Sequence, residues 1–237
     1  MVLKRIRYAV GAVAAMSLIL ILLLSAFEIA MYSDFDFYKK EYQKYEVLSD
    51  LDMEMKDVMY VTQEMMAYLK GERESLQVIT MIEGERQDFF DEQDRFHMKE
   101  VQMLFLGGLK LRAGATVVFF LCVLWLVICL PKGKWIPVLC RSYQGVLGVV
   151  SFLALTLGIW AVYDFNTLFI RFHELFFDND LWIFDPAEDY MIRMLPEGLF
   201  SDFVFRIGSF FLAGLLGILI ITIFARVIYK KISDTYE

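Results

Sequence analysis

The stretch YAVGAVAAMSLILILLLSAF, residues 8–27, contains no Asp, Glu, Lys or Arg. Its 20 residues match the ~20 apolar residues that an α-helix needs to cross the hydrocarbon core of a bilayer. Three more stretches read the same way: AGATVVFFLCVLWLVICLP (113–131), SYQGVLGVVSFLALTLGIWAVY (142–163) and IGSFFLAGLLGILIITIFA (207–225). The chain is 58% hydrophobic and 22% charged, which already departs from the composition of a soluble domain. Lys4, Arg5 and Arg7 before the first run resemble the start of a signal peptide. That run is longer than a usual signal core, and Glu28 and Met31 stand where a small-residue cleavage site belongs. It reads as a retained first span. The expected fold is an all-α membrane protein with four transmembrane helices and a small, mainly helical extracytoplasmic cap.

Orientation follows from the basic residues. Lys4, Arg5, Arg7, Lys132, Lys134, Arg141, Arg226, Lys230 and Lys231 lie in the two termini and the middle link, against only Asp234 and Glu237. Segments 28–112 and 164–206 hold 28 acids against 14 bases. Both termini and the link are therefore expected in the cytoplasm, in a multi-pass cell-membrane protein, and the two acidic segments outside. The net charge of −7 is a sum over opposite-signed sides and does not point to nucleic acid. The organisation that results is a tail and first span (1–32), a first part of the cap (33–112), spans two and three with their link (113–163), a second, aromatic-rich part of the cap (164–205), and a fourth span with its tail (206–237).

Within the first outer segment, Ser49 and Asp52 have the spacing of a capping box. Met55, Val58, Met59, Thr62, Met65, Met66 and Leu69 then mark one helical face, a stripe best read as cap core, and Gly71 ends it. Leu76–Ile82 is rich in β-branched residues and reads as a short strand, with Glu83-Gly84-Glu85 as its turn. Asp91, with Asp94 three residues on, is a good N-cap for a helix carrying His97, Val101, Leu104 and Phe105 on one face. The pair Gly107-Gly108 predicts a break before the second span that folds the His97 helix back towards the membrane; a straight helix would leave His97 some ~20 Å above it. In the second outer segment, Phe165, Leu168, Phe169, Phe172 and Phe176 form an apolar stripe, as in a helix lying in the interface. Twelve aromatic residues fall between Tyr163 and Phe205, both included. Ser201-Asp202 is expected to open the fourth span, and Ala213 and Gly217 to give it a small-xxx-small packing face.

The chain has two histidines, His97 and His173, and both fall in the outer segments. Histidine titrates near neutrality, so a same-side pair is a candidate acid/base couple. The nucleophile inventory outside is poor. Cys122, Cys129 and Cys140 lie in the second span or on the cytoplasmic side, there is no G-x-S-x-G elbow, and capping explains Ser201 better than catalysis does. H-E-x-x-H, C-x-x-C and Gly-rich phosphate loops are absent. Glu92 with both histidines is a weak metal set, so no metal and no cofactor is expected.

The segment FFDEQDRFHM resembles the first signature of the bacterial lipoprotein intramolecular transacylases, a Phe-polar-Glu run five residues before His-Met, at Phe90, Glu92, His97 and Met98. Gln93, Asp94, Arg95 and Phe96 depart from it. The segment FHELFFDNDLWIFDPAEDYMIRMLPEGLF resembles the second, more specific signature at Phe172, His173, Phe176, Phe177, Trp182, Asp185, Pro186, Asp189, Ile192, Arg193, Leu195, Pro196 and Glu197. The four-span layout agrees as well. The resemblance implies an enzyme that moves the sn-2 acyl chain of a diacylglyceryl-cysteine lipoprotein to the α-amine of the same cysteine. It implies catalysis by His97 and His173, with neither assigned as acid or base, and substrate contacts from Glu92, Phe172, Phe176, Trp182, Asp185 and Arg193. The implied partners are the lipidated lipoprotein N-terminus and membrane lipid. The residues read alone fit such a rearrangement, because both reacting groups belong to one substrate and no enzyme nucleophile is needed. Arg193 has two readings: an ion pair with Asp185, Glu188 or Asp189, or a guanidinium that orients substrate or oxyanion. Two other readings of the whole chain stay open, a non-catalytic membrane scaffold that binds a partner and a phospholipid acyl hydrolase.

Overall fold

A computed structural model of the chain describes residues 2–235. Met1, Tyr236 and Glu237, at the ends of the termini expected in the cytoplasm, lie outside the described residues, as does the Lys4 side chain. The helices are α1 (Val2–Tyr32), α2 (Asp36–Lys44), α3 (Val47–Asp50), α4 (Met55–Leu69), α5 (Glu92–Cys129), α6 (Trp135–Tyr163), α7 (Phe165–Phe176), α8 (Tyr190–Met194) and α9 (Glu197–Thr235). Among the described residues a single hairpin, β1 (Ile79–Ile82) and β2 (Glu85–Asp88), pairs antiparallel with Ile82 opposite Glu85. Four helices, α1, α5, α6 and α9, are long and apolar enough to cross a membrane. This is an all-α membrane protein with four such helices.

The chain divides into two compact units. The first comprises Met1–Glu28, Lys110–Ile159 and Ile207–Glu237. Its core is narrow: Ala15, Ile19, Tyr143 and Leu215 are buried, with Leu18, Leu22, Val146 and Phe211 packed on them. Most apolar side chains instead point outward, as with Phe120, Ile128 and Phe152, which are 63%, 72% and 70% exposed. Such a surface suits lipid and not water. Polar groups face inward and are paired: the Tyr143 hydroxyl donates to the Leu215 carbonyl at 2.8 Å, Arg226 donates to Gln144 at 2.6 Å, and Arg112 pairs with Glu28. The small-residue contact of α9 differs from the expectation. Ala213 is exposed and a Cβ on Gly217 would meet nothing within 4 Å, whereas one on Gly214 would lie 3.2 Å from Leu22. The helical register therefore presents Gly214, one residue along, to α1.

The second unit comprises Ile29–Leu109 and Trp160–Arg206. Its core is built on α4, whose Val58, Met59, Thr62, Met65, Met66 and Leu69 are buried as the stripe predicts. Tyr38, Tyr42, Phe89, Phe90, Met194 and Leu199 fill in around it. Buried hydroxyls are satisfied, with Tyr42 and Thr62 sharing a 2.6 Å hydrogen bond. Gly71 takes φ +79° just after α4, a left-handed end that costs glycine least. Gly198 is needed for a different reason, since a Cβ there would overlap the Tyr45 ring.

Four expectations are corrected here. Ser49 and Asp52 do not cap α4, because α4 begins at Met55 behind Glu54 and the Ser49 hydroxyl instead donates to the Glu46 carbonyl. The strand is the first arm of a hairpin whose charged second arm, ERQD, gave no apolar signal. Ser201-Asp202 lies inside α9, which starts at Glu197, and Asp202 is held by Lys44 and Tyr45. Finally, α5 runs unbroken through Gly107-Gly108. Two glycines weaken a helix by only about 1–2 kcal/mol together, and 38 continuous residues outweigh that.

Candidate active site

Both histidines lie in the second unit and outside the uncharged spanning stretches. His97 stands on the second turn of α5, which starts where Asp91 caps it. The Asp94 amide donates to Asp91 Oδ1 at 2.8 Å, and the Asp91 amide returns a bond to Asp94 Oδ2 at 3.1 Å. His173 stands on α7, capped by Asp164 through the Thr167 amide. The two imidazoles stack with centroids 5.9 Å apart and planes 28° from parallel. They are 6% and 7% exposed.

Aromatic rings enclose the pair. Phe177 lies 4.9 Å from His97 and 5.4 Å from His173, Phe184 lies 5.5 Å from His97, and Trp182 lies 4.9 Å from His173. Phe169 and Phe172 approach His173 at 4.2 and 5.5 Å. In this dry setting a positive imidazolium is disfavoured. Burial, with a smaller contribution from His173, pulls His97 down to about 4, and burial also lowers His173. One bond opposes the fall at His173: its Nδ1 lies 2.8 Å from the Phe169 carbonyl. A carbonyl only accepts, so Nδ1 carries the hydrogen and the Nε2 lone pair is left open. The buried Nδ1 of His97 has no hydrogen-bond partner among the described residues.

The loop from Phe177 to Asp189, which supplies Phe177, Trp182 and Phe184, is stitched to α5. Gln93 donates to the carbonyls of Leu181 and Ile183 at 3.2 and 3.1 Å, and Asn179 donates to Glu100 at 2.9 Å. Asp185 turns the loop, its carboxylate accepting from the Ala187 amide and its own amide donating to Asp189.

The residues expected at the site thus separate. His97, His173, Phe172 and Trp182 are brought together. Phe176 packs against Phe172 with ring centroids 4.7 Å apart and planes tilted by 44°. Glu92 is an exposed residue at the start of α5, and Asp185 is an exposed turn residue. Arg193 is ion-paired, as one reading held, but with different partners: Asp50 at 3.3 Å and Glu83 at 3.1 Å. It lines a groove of about 730 Å³ with Tyr45, Glu46, Asp50, Asn166 and Phe169. Sequence reasoning left out Phe169, Phe177 and Phe184 as contacts of the pair, and Gln93 as the residue that ties down the loop. Gln93 carried a usable signal, standing in the helix's first turn beside a capping pair with no apolar role.

The site is thus a pair of buried imidazoles in an aromatic enclosure, on a chain with four helices long and apolar enough to cross a membrane. A sequence model of the family described as "Lipoprotein intramolecular transacylase Lit" matches residues 12–200. The chain belongs to that family and is an acyltransferase, a multi-pass membrane protein. The in meso structure of the membrane integral lipoprotein intramolecular transacylase Lit from Bacillus cereus is similar at a TM-score of 0.73 and 18% identity, covering 98% of each chain. Two structures of that protein with one histidine replaced, by arginine and by alanine, are similar at TM-scores of 0.69 and 19% identity. They cover 98% of this chain and 94% and 96% of theirs. No curated protein matches the chain in sequence.

Proposed function

We propose that this transacylase moves the sn-2 acyl chain of a diacylglyceryl-cysteine lipoprotein from its ester oxygen to the free α-amine of the same cysteine, with His97 and His173 as the proton relay. The observation that carries this reading is the stacked, buried imidazole pair. The neutral amine attacks the ester carbonyl, the new C–N bond forms as the C–O bond breaks, and one proton must travel from nitrogen to the leaving alkoxide. An α-ammonium has a pKa of roughly 7.7–8.0, so the substrate first sheds one proton to water. Its remaining N–H becomes acidic as the nitrogen lone pair is spent on the carbonyl. At that point the Nε2 lone pair of His173 takes the proton, and the pair returns it to the alkoxide.

The rest of the work is positioning. Holding amine and ester together in one geometry is worth up to ~7–11 kcal/mol. Phe172, Phe176 and Trp182 suit the acyl chain: Phe172 and Phe176 are about half-exposed on one face of α7, continuous with the exposed Leu175. Asp185 serves by shaping the loop that carries Phe184, Glu92 by opening α5, and Arg193 by holding Asp50 and Glu83 beside the groove. Near-complete burial of the imidazoles limits water at the reacting carbonyl, which favours transfer to the amine over hydrolysis. The basic termini and link support a cytoplasmic placement for them and an outward-facing site. Incubating the protein with a synthetic diacylglyceryl-cysteinyl peptide tests the reading. N-acyl, monoacylglyceryl product in the mass spectrum is expected; released fatty acid with an unmodified amine contradicts it.

A further inference from the structure

The groove beside Arg193 combines an apolar floor with a set of charged side chains that an acyl chain would not use. Glu46, Asp50, Asn166, Arg193 and Glu197 line it together with Tyr45, Phe169 and Phe200. Its volume of about 730 Å³ falls in the ~300–1,000 Å³ range of sites that hold a ligand of several rigid groups. Helical spacing connects it to the histidines. Asn166, Phe169 and His173 follow one another at i, i+3 and i+7 along α7, so Asn166 and Phe169 face the groove and His173 stands one turn on. The Phe169 ring touches the His173 ring at 4.2 Å, and its carbonyl holds His173 Nδ1. Phe172, Leu175 and Phe176, further along α7, do not line the groove.

Charge in the groove is unbalanced. Arg193 is shared between Asp50 and Glu83, and Glu46 and Glu197 make no ion pair among the described residues. Among the described residues Glu197 accepts from the neutral Asn166 amide alone, at 3.0 Å. A lipoprotein substrate has two chemically distinct parts leaving the reacting cysteine, its acyl chains and its polypeptide. We infer that this acidic groove receives the polypeptide that follows the lipidated cysteine, and that it selects cationic over anionic residues there. The inference rests on the reading of the histidine pair given above and extends it to a second part of the same substrate.

The test uses the full-length protein and two diacylglyceryl-cysteinyl peptides that differ only in carrying two lysines or two glutamates after the cysteine. Exposed charge pairs are weak one at a time, and several act together here. The lysine peptide is therefore expected to have a kcat/KM about tenfold higher at low salt, and the ratio should shrink in 0.5 M salt as screening rises. Glu46→Gln combined with Glu197→Gln should bring the ratio close to one, and Glu46→Lys should carry it lower still. Glu54→Lys, a charge change away from the groove, should leave the ratio as in wild type. Binding of the same peptides in fluorescent form to His97→Ala, which is expected to turn them over at least about a hundredfold more slowly, should show the same preference. A ratio near one in the wild type, or a ratio that the groove variants leave untouched, overturns the groove assignment. Charge-selective binding without conversion by the wild type would contradict the proposed reaction and leave the groove assignment standing.

Discussion

Asp94 and His97, one turn apart on α5, are buried ionisable groups whose charged forms are both disfavoured, and they bear on stability in opposite directions. Burial pushes the Asp94 carboxyl up to about 7. A carboxyl whose pKa is raised on folding favours the folded state below its unfolded value near 3.8 and loses that contribution as pH rises towards 7. Asp94→Asn keeps an oxygen for the Asp91 amide and removes the charge. In detergent, the variant should gain about 1–3 kcal/mol on wild type between pH 4 and pH 8; a constant difference across that window would show that Asp94 is not held protonated. His97 behaves oppositely. Its pKa is lowered to about 4, so it costs stability as pH falls from 6.5 to 4, while the unfolded chain takes up a proton that the folded one refuses. The same lowering sets the pH dependence of turnover. With His97 lowered to about 4 and His173 lowered as well, the substrate amine governs the profile, and kcat/KM should rise tenfold per pH unit and level off near ~7.7–8.0. An inflection near 6.5 in that profile would assign the rate to an ordinary histidine.

At the scale of elements, α5 and the loop stitched to it decide how the site is held. A Cβ at Gly107 meets nothing within 4 Å. Gly107→Ala should therefore stabilise the protein by about 0.5–1 kcal/mol and leave transacylation intact, whereas a functional hinge would lose activity. Gln93→Ala removes two bonds to the loop carrying Trp182. At about 0.5–1.5 kcal/mol per bond it should shift the tryptophan emission and lower turnover several-fold without unfolding the protein. Unaltered emission and rate would remove Gln93 from the account. These two residues show where reading the sequence succeeded and stopped. The Asp91 cap, the Met-rich face of α4 and the α7 stripe were legible because each is a local pattern with one physical meaning. The glycine pair was misread because local propensity was weighed without the long helix that overrides it. Gln93, Phe177 and Phe184 were missed because their partners are about 80–90 residues away or on an irregular loop, where no periodicity points. For Arg193 the ion pair was foreseen, yet Asp50 and Glu83 lie more than 100 residues back, beyond any spacing rule.

For the molecule as a whole, the four uncharged stretches were enough to give the membrane class, because hydrocarbon admits so few backbone solutions. The asymmetry of lysine and arginine then predicts which side the histidines face. In a background lacking Cys122, Cys129 and Cys140, a cysteine at the exposed Ser75 should react with a membrane-impermeant thiol reagent in intact cells, and one at Ser233 should not. Labelling of the Ser233 position alone would reverse the orientation and remove the lipoprotein's anchored N-terminus from reach.

The central claim is that His97 and His173 act as one proton relay within a single substrate molecule, and kinetics of purified variants on a diacylglyceryl-cysteinyl peptide test it most directly. His97→Ala and His173→Ala should each lower the rate of N-acyl, monoacylglyceryl product by about 10²–10⁴-fold while inserting and folding as wild type. The double variant should be little worse than the poorer single one, because members of a cooperating unit do not add. Either single variant forming product at a near-normal rate would contradict the relay.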